Sequence, residues 1–306
     1  MGNVLITGAT GFVGSRLAQA LLPTLDCHVV SMVRDRTRDA IGHSIVHGDV
    51  TDQAFSRRVL ADYEIGTIYH LAAQSIVSVC AEDPLAALEV AVMGTARLLQ
   101  AVRDVGRPCR VVVMTSDKVY GSAPAPYTES TPLDARHAYE VSKACQDLVA
   151  RMFAANYGLD VQVIRAVNIY GPGDPNESRI VPRTILRCLS GEPPILHSGA
   201  AAMRRQYVYI DDMVEALRFI ARWGVSGEAY CVGSLDEPLS VLDVMASICQ
   251  ATGTPWKAPE VQQRDVRFCE IAQQAVDGSK LKRIGWEPGL KFADGIRETV
   301  NWYKER

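Results

Sequence analysis

The sequence lacks the marks of a metal protein or of a disulfide-stabilised secreted protein. Its 306 residues include eight cysteines and six histidines, but no Cys-x-x-Cys pair and no recognisable set of histidine ligands. Several cysteines stand inside apolar segments, as Cys231 does in Ala229-Tyr230-Cys231-Val232. Such cysteines are typical of reduced thiols in a protein core. We therefore expect a cytoplasmic protein without a metal centre.

Excess charge, internal repeats and low-complexity segments are also lacking. A formal net charge of -3 argues against a general nucleic-acid-binding protein. We find no apolar run that approaches membrane-spanning length and no signal peptide, so we expect no membrane partner. Hydrophobic residues make up 48% of the chain, which suits one large domain or two fused ones.

The most informative segment is an apolar strand that runs into three glycines. Val4–Thr7 precedes Gly8, Gly11 and Gly14, and a helical pattern follows. Glycines let a turn tighten and let its backbone approach a pyrophosphate, while a helix N-terminus offers N–H groups to the anion. Glycines also collect in ordinary turns. However, the strand before this loop, the helix after it and a second apolar strand further on predict a dinucleotide-binding site.

The first half of the chain alternates apolar strands with helical patterns, which predicts an α/β fold with a doubly wound parallel sheet. The predicted strands are Val4–Thr7, Val29–Val33, Ser44–His47, Thr67–Leu71, Arg110–Thr115 and Val161–Arg165; the predicted helices are Gly14–Leu22, Gln53–Tyr63, Pro84–Val105 and Tyr139–Tyr157. The last two helices are apolar on more than one face, which indicates either deep burial or a dimer interface.

Proline and glycine cluster after Asn168, and from there on the pattern predicts mainly loops and short helices. Predicted elements in this part are the helices Asp212–Trp223, Val241–Thr252 and Phe292–Tyr303 and the strand Glu228–Val232. This pattern predicts a smaller domain. Because ligands of open α/β sheets bind beyond the carboxyl ends of the strands, we expect the substrate between the two domains.

The strongest catalytic signal is a tyrosine and a lysine four residues apart. Tyr139 and Lys143 would share one face of a helix. A cationic ammonium beside a phenol lowers the pKa of the phenol, which makes a base that works near neutral pH. An exposed amphipathic helix would show the same spacing. This pair, however, follows a strand that ends near Ser116, whose hydroxyl can hydrogen-bond the substrate hydroxyl that Tyr139 deprotonates.

Taken as a set, these motifs resemble the extended short-chain dehydrogenase/reductase family, which contains the nucleotide-sugar epimerases and dehydratases. The resemblance rests on the glycine triplet, the Ser116/Tyr139/Lys143 set and the segments Asn168–Gly173 and Gln206–Asp212. It implies a Rossmann-type domain at 1–168, with a returning segment near 206–232, and a smaller C-terminal α/β nucleotide-sugar domain at 169–306. It also implies a homodimer formed through the two long helices.

Two residues after the serine distinguish dehydratases from epimerases within this family. Asp117-Lys118 resembles the CDP-glucose and UDP-N-acetylglucosamine types of 4,6-dehydratase, whereas dTDP-glucose dehydratases have Asp-Glu and epimerases usually carry small or neutral residues there. The chain as a whole is similar to the CDP-glucose or GDP-mannose 4,6-dehydratases. After C4 is oxidised, a base must remove the C5 proton while an acid protonates the departing C6 hydroxyl. Asp117 suits the acid if its pKa is raised, and Lys118 suits the base or an enolate-stabilising charge. Alternatively, the two side chains form a local ion pair that holds the loop.

The resemblance also implies contacts with the cofactor and the substrate. Cofactor contacts are implied for Gly8, Thr10, Gly11, Phe12, Val13, Gly14, Arg34, Asp49, Val50, Leu71, Ala72, Ala73, Tyr139 and Lys143. Substrate contacts are implied for Gln74, Ser116, Asn168, Arg179, Arg205 and Arg267. Arginine suits a diphosphate because it is a planar, bidentate and permanently charged donor, although a solvated surface role is open for each arginine.

Two positions depart from the family pattern. The second strand ends in Val33-Arg34, where an acidic residue would bind the adenosine ribose of NAD. A missing carboxylate beside arginines favours the 2′-phosphate of NADP over NAD, unless Arg34 only stacks on adenine. At Ala91 many relatives have an asparagine that supports the active-site backbone.

Three functions are therefore compatible with the sequence. We predict a nucleotide-sugar 4,6-dehydratase with a tightly bound NAD(P). A 4-epimerase or 4-ketoreductase would need only Ser116, Tyr139 and Lys143. A non-catalytic NAD(P)-binding protein of the same fold would not need the Tyr139/Lys143 pair at all.

Overall fold

The computed structural model describes residues 2–23, 28–263 and 271–306. The chain divides into two compact units. Unit 1 comprises Met1–Ala123, Glu129–Ala166 and Val214–Cys231; unit 2 comprises Pro124–Thr128, Val167–Met213 and Val232–Arg306. Residues 206–213 thus belong to unit 2, and the segment that returns to unit 1 begins at Val214.

Unit 1 is built on a seven-stranded parallel sheet, as the alternating pattern predicts. Its strands are β1 (Asn3–Thr7), β2 (Val29–Val33), β3 (Ser44–His47), β4 (Ile65–His70), β5 (Arg110–Ser116), β6 (Asp160–Ala166) and β11 (Ala229–Val232). Their order across the sheet is β3-β2-β1-β4-β5-β6-β11. The order reverses between β1 and β4, which is the switch point where Rossmann-type folds bind ligands. The predicted fold class is confirmed.

Inner strands of this sheet are buried along almost their whole length because helices cover both faces. Every residue of β2 is buried, and six of the seven residues of β6 are buried. The edge strand β3 alternates half-buried and exposed residues instead. The ends of the predicted strands in this sheet agree with those of the observed strands to within two residues.

The helices of unit 1 also follow the sequence pattern. They are α1 (Phe12–Leu21), α2 (Gln53–Asp62), α3 (Val77–Glu82), α4 (Pro84–Leu88), α5 (Gly94–Val105) and α6 (Ala138–Tyr157), with a 3₁₀ turn at Asp117–Tyr120. The first helix was expected to begin at Gly14, but it begins at Phe12. Phe12 and Val13 therefore present their backbone N–H groups from the first turn of the helix.

The helix predicted at Pro84–Val105 is not a uniform α-helix. A π-helical turn at Glu89–Met93 separates α4 from α5, and Ala91 lies within it. By length and composition alone, this stretch is apolar enough to cross a membrane, so the expectation that no run approaches that length is wrong. Core helices meet the same criterion, and Leu98 and Leu99 of α5 are fully buried in the unit 1 core.

A buried ion pair between Arg165 and Asp147 connects α6 to the sheet. Arg165 on β6 donates from Nε to Asp147 Oδ2 at 2.7 Å and from Nη2 to Asp147 Oδ1 at 3.0 Å. Its Nη1 donates to the Tyr120 hydroxyl at 2.9 Å. Both charged side chains have exposures of 1% or less, so the buried Arg165 charge depends on Asp147 for compensation, while Asp147 also accepts from Arg151 Nε at 2.7 Å.

In the part of the chain that the structure describes, unit 2 consists of short strands and four helices, with the start of a fifth. The strands are β7 (Asn168–Tyr170), β8 (Ile195–His197), β9 (Arg204–Arg205), β10 (Tyr207–Tyr209), β12 (Leu239–Ser240), β13 (Glu260–Gln262) and β14 (Gln273–Gln274). The helices are α7 (Ile180–Leu189), α9 (Val241–Thr252), α10 (Ser279–Arg283) and α11 (Phe292–Lys304), and α8 (Ile210–Trp223) begins here and ends in unit 1. Tyr170 packs against Phe292, with ring centroids 4.9 Å apart, within its core.

The ion pair between α6 and β6 predicts a large effect on stability. Asp147→Ala would leave the Arg165 guanidinium buried without a counter-charge and should lower the free energy of unfolding by about 3–5 kcal/mol. Urea denaturation followed by circular dichroism measures this. Glu215→Ala breaks the more exposed pair with Arg218 and should cost less than about 1 kcal/mol. Equal costs for the two variants would contradict this account.

Candidate active site

The glycine loop joins β1 to α1 at the switch point of the sheet. Gly8 has φ +70°, a conformation that side chains rarely adopt. A Cβ on Gly8 would lie 2.9 Å from Ala72 N and from the carbonyl of Leu71, which follow β4. Only glycine lets the loop pass this close to the neighbouring strand. Leu71 and Ala72 therefore lie beside the glycine loop, and Ala73 follows them in the chain. All three residues were expected to contact a cofactor.

The other two glycines have different roles. A Cβ on Gly14 would lie 2.3 Å from Gly8 O, so this glycine lets α1 pack against the loop. A Cβ on Gly11 would meet only Gly8 O, at 3.2 Å, and otherwise points into open space. Gly11 caps α1 without a side-chain hydrogen bond, and the first turn of α1 carries no acidic residue. This open helix N-terminus, with Thr10 and the N–H groups of Phe12 and Val13, fits a pyrophosphate.

Residues at the ends of β2 and β3 lie close to each other. Arg34 Nη1 is 3.9 Å from Asp49 Oδ2, and the Arg34 side chain is 72% exposed. Asp49 Oδ1 accepts from Thr51 N at 2.9 Å, and Val50 is buried. The end of β2 therefore presents an exposed guanidinium, held loosely by Asp49, at the position where the pattern predicts the adenosine ribose.

Ser116 and Asp117 form a hydrogen-bonded pair at the end of β5. Ser116 Oγ donates to Asp117 Oδ1 at 3.0 Å and accepts from Lys118 N at 3.2 Å. Both Ser116 and Asp117 are buried, whereas Lys118 is half-buried. The 3₁₀ turn that begins at Asp117 places these three side chains in succession where the sheet ends. A hydroxyl, a carboxyl group and an amine are thus collected at one strand end.

Lys143 lies against the same strand. Its Nζ donates to Met114 O at 3.3 Å and to Gln146 Oε1 at 3.0 Å. Burial lowers the pKa of Lys143 to about 8. Tyr139 is half-buried one helical turn earlier on α6, on the same face as Lys143. The contact with Met114 brings this face of α6 to the end of β5, two residues before Ser116.

Four fully buried polar side chains next to Lys143 were not predicted. Thr7, His70, Thr95 and Gln146 have exposures of 0% and are joined by hydrogen bonds. A signal for Gln146 was available, because it stands three residues after Lys143 and therefore near it on a helix. Thr7 and His70 could also have been paired, since each is the last residue of its strand.

The expected substrate contacts are distributed over both units. In unit 1, Gln74 Oε1 accepts from Ile76 N at 3.2 Å. In unit 2, Asn168 Nδ2 donates to Gln206 O at 3.2 Å, and Arg179 Nη1 lies 3.1 Å from Asp174 Oδ2. Arg205 is buried and donates from Nη1 to Arg204 O at 2.9 Å. Arg267 lies outside the described residues.

Metal ligation finds no support in the described part of the chain. No group of three or more histidine, cysteine, aspartate or glutamate side chains there is placed to hold a metal ion.

Solved structures with this fold include enzymes that act on nucleotide sugars. The dTDP-glucose 4,6-dehydratase DesIV from Streptomyces venezuelae, with NAD and TYD bound, is 30% identical and superposes with a TM-score of 0.89, covering 100% of this chain and 97% of that one. UDP-glucose 4-epimerase from Thermus thermophilus, in complex with NAD, is 29% identical with a TM-score of 0.88, covering 99% of both chains. NAD is thus bound in structures similar to this one.

Sequence comparison gives the family. A dTDP-glucose 4,6-dehydratase from Xanthomonas campestris pv. campestris is 30% identical over 331 aligned positions, which cover 99% of this chain and 93% of that protein. The family model described as GDP-mannose 4,6 dehydratase matches residues 5–299. This match agrees with the resemblance inferred from the glycine loop and the Ser116/Tyr139/Lys143 set. The chain belongs to the GDP-mannose 4,6-dehydratase family of Rossmann-fold proteins.

Proposed function

We propose that this protein is a nucleotide-sugar 4,6-dehydratase that converts an NDP-hexose to an NDP-4-keto-6-deoxy sugar with a tightly bound NAD(P). The observation that carries the proposal is the buried Ser116–Asp117 pair at the end of β5, followed by Lys118. The 4,6-dehydratases among the similar proteins support it. An NDP-sugar enzyme without an elimination step would not need an acid at position 117.

The first step removes a proton from the C4 hydroxyl and a hydride from C4 of the sugar. Tyr139 takes the proton of the C4 hydroxyl. Ser116, whose single proton is donated to Asp117 Oδ1 before substrate binds, turns to donate it to the same substrate oxygen. Lys143, buried and cationic below its pKa of about 8, favours the phenolate form of Tyr139. The ammonium has three donors, two of which bind Met114 O and Gln146 Oε1, and we assign the third to the cofactor ribose.

The cofactor would lie on the glycine loop with its pyrophosphate at the N-terminus of α1. Gly11 leaves the space for it, and Thr10, Phe12 and Val13 line that end of the helix. When bound, the nicotinamide would accept the hydride from C4 and, after the elimination, would supply it to C6 while a proton returns to C5.

The second step eliminates water across C5 and C6. Oxidation at C4 makes the C5 proton acidic, and Lys118 removes it or stabilises the enolate by its charge. Asp117 gives its proton to the departing C6 hydroxyl, which leaves as water. The hydrogen bond from Ser116 to Asp117 Oδ1 holds the carboxyl group beside the hydroxyl that acts in the first step.

An NDP-sugar 4-epimerase is the second candidate, because a UDP-glucose 4-epimerase shares this fold at 29% identity. An epimerase rotates a 4-keto sugar and returns the hydride to C4, so it needs neither Asp117 nor Lys118. A non-catalytic NAD(P)-binding protein would need no Tyr139/Lys143 pair. Replacement of these residues separates the three functions.

We also propose NADP rather than NAD as the preferred cofactor. The end of β2 carries Val33, which is buried, and then Arg34, whose side chain is 72% exposed. A guanidinium suits the 2′-phosphate of NADP, whereas NAD is usually held there by a carboxylate.

The remaining expectations are proposals of the same kind. We assign substrate contacts to Gln74, Ser116, Asn168, Arg179, Arg205 and Arg267. We further propose a cytoplasmic homodimer that contacts neither nucleic acid nor membranes. Leu148 and Met152 on α6 and Leu85 on α4 expose large apolar side chains that a second copy would cover. A monomer by light scattering would contradict the dimer.

Asp117→Asn should separate oxidation from elimination. The asparagine can still accept from Ser116 but has no proton suited to the leaving hydroxyl, so oxidation at C4 proceeds and dehydration falls by at least roughly 10²-fold. Reduced nicotinamide then accumulates and is measured by its near-ultraviolet absorbance. Lys118→Ala should likewise leave oxidation intact while slowing solvent-deuterium exchange at C5.

Tyr139→Phe is the control for that experiment, because it blocks the first step. This variant should bind cofactor but accumulate no reduced nicotinamide. If Asp117→Asn and Lys118→Ala convert sugar at the parental rate without loss of water, the protein is an epimerase. If Tyr139→Phe also behaves as the parent, the protein does not use this site for catalysis.

Gly11→Val and Gly14→Val should fail in different ways. The valine at position 11 fills the open space beside α1, so it should abolish cofactor retention while the protein keeps the thermal stability of the cofactor-free parent. The valine at position 14 meets Gly8 O and should lower the melting temperature as well. Cofactor content after purification and thermal denaturation measure the two effects. Retained cofactor in Gly11→Val would refute the pyrophosphate assignment.

Arg34→Ala tests the cofactor preference. Loss of a charge-assisted hydrogen bond to phosphate should weaken NADP binding by roughly 10-fold or more, whereas NAD binding should change little. Arg57→Ala removes an exposed arginine on α2, outside this segment, and is the matched control. Isothermal titration of both cofactors gives the affinities. An equal loss for NAD and NADP would contradict recognition of the 2′-phosphate.

A further inference from the structure

Lys143 depends on one side chain for the orientation of its ammonium. Within the described residues, Gln146 Oε1 at 3.0 Å is its side-chain acceptor, and Met114 O at 3.3 Å is a backbone acceptor. Gln146 lies one turn after Lys143 on α6 and is fully buried. The amide can serve as acceptor only if its oxygen, and not its nitrogen, faces the ammonium.

Thr95 determines which way this amide faces. Its hydroxyl has one proton, which it donates to Ala91 O at 2.6 Å within the helical segment. Thr95 Oγ1 is therefore an acceptor toward its other partners, Gln146 Nε2 at 3.1 Å and His70 Nε2 at 2.8 Å. Because Thr95 cannot donate to Gln146, the amide nitrogen must face Thr95 and the amide oxygen must face Lys143.

The same constraint fixes the ring of His70. Its Nε2 carries the proton donated to Thr95, so Nδ1 accepts from the Thr7 hydroxyl at 2.8 Å. Thr7 Oγ1 in turn accepts from Leu71 N and Ala72 N, each at 3.2 Å. Burial, and then the charge of Lys143, lowers the pKa of His70 to about 3, so the ring stays neutral. A continuous chain of directed hydrogen bonds thus links the backbone beyond β4 with Lys143.

We propose that Gln146 is the positioning residue for Lys143 and that Thr95 and His70 hold the Gln146 amide in its accepting orientation. The proposal rests on the proposed function in one respect, the role of Lys143 beside Tyr139. Partly satisfied buried networks are costly, whereas fully satisfied ones select one arrangement. Here every proton in the network has an assigned direction. Lys143 donates to Gln146, Gln146 and His70 both donate to Thr95, and Thr95 donates to Ala91 O.

Other ionisable groups also face this region. His70 comes from β4 and is neutral, and Cys80 comes from α3, where burial raises the pKa of its thiol. Asp117 lies at the end of β5 and Tyr139 on α6 itself. Replacing Gln146 changes none of these groups. A change in the titration midpoint of Lys143 in a Gln146 variant is therefore due to the loss of the Gln146 amide.

The test is the titration of Lys143 in protein labelled with ¹³C-lysine, followed by NMR and assigned with Lys143→Arg. It needs neither substrate nor cofactor. Gln146→Leu removes the acceptor and should lower the titration midpoint by about one pH unit, the size expected for one hydrogen bond to a charged group. Gln146→Glu places a carboxylate there and should raise the midpoint by about one unit or more.

Matched controls separate positioning from general damage to the core. Gln162→Leu removes another fully buried glutamine of unit 1, on β6, and should leave the midpoint unchanged. Thr95→Val should lower the midpoint in the direction of Gln146→Leu, because the amide is no longer held. Thr95→Ser keeps the hydroxyl and should restore the parental value.

Kinetics give a second readout for a protein that turns over nucleotide sugar. Gln146→Leu should lower kcat and shift the alkaline limb of its pH profile downward, with the sugar KM unchanged. If Gln146→Leu and Gln146→Glu both titrate with the parent, the proposal is wrong, whatever their activity. If Gln146→Leu does not fold, Gln146→Glu and the two Thr95 variants decide. If no nucleotide sugar is turned over, the proposed function fails while the titration still decides this proposal.

Discussion

The parallel register of β1, β4 and β5 is the constraint on which the whole site depends. Thr7 pairs with His70, where β1 and β4 both end, and His70 pairs with Val113, so β5 continues for three residues beyond this level and ends at Ser116. Each of these strands leads into one part of the site. β1 is followed by the glycine loop, β4 is followed by Leu71–Ala73, and β5 ends in the Ser116–Lys118 turn. A shift of the register would separate the open helix N-terminus of α1 from the hydroxyl, carboxyl and amino groups that follow β5.

Burial of charge is the second feature that the site requires. Lys143 lies on α6, the Arg165–Asp147 pair joins α6 to β6, and all three residues are buried. The Met114 carbonyl oxygen binds the Lys143 ammonium to β5, and the Gln146 amide oxygen binds it within α6. A cation kept in a site of low dielectric acts strongly on a neighbouring phenol, which is what a tyrosine base needs. The stability of unit 1 and the chemistry of the site therefore both depend on α6.

The sequence predicts unit 1 well because its elements follow simple periods. Short, mainly apolar runs predict the buried strands, and the Gly8/Gly11/Gly14 spacing predicts the glycine loop. The π turn at Glu89–Met93 was missed because it keeps a helical hydrophobic pattern. Strands of two or three residues in unit 2, such as β9, are too short for any period to show. The network from Thr7 to Gln146 was missed because its members come from four separate elements.

The central claim, elimination of water from a nucleotide sugar, is tested most directly by mass spectrometry of the reaction product. The purified protein is incubated in deuterium oxide with a panel of NDP-hexoses. A 4,6-dehydratase gives a product that has lost one water and carries deuterium from the solvent at C5. A product of unchanged mass with an inverted C4 would contradict the account and identify an epimerase.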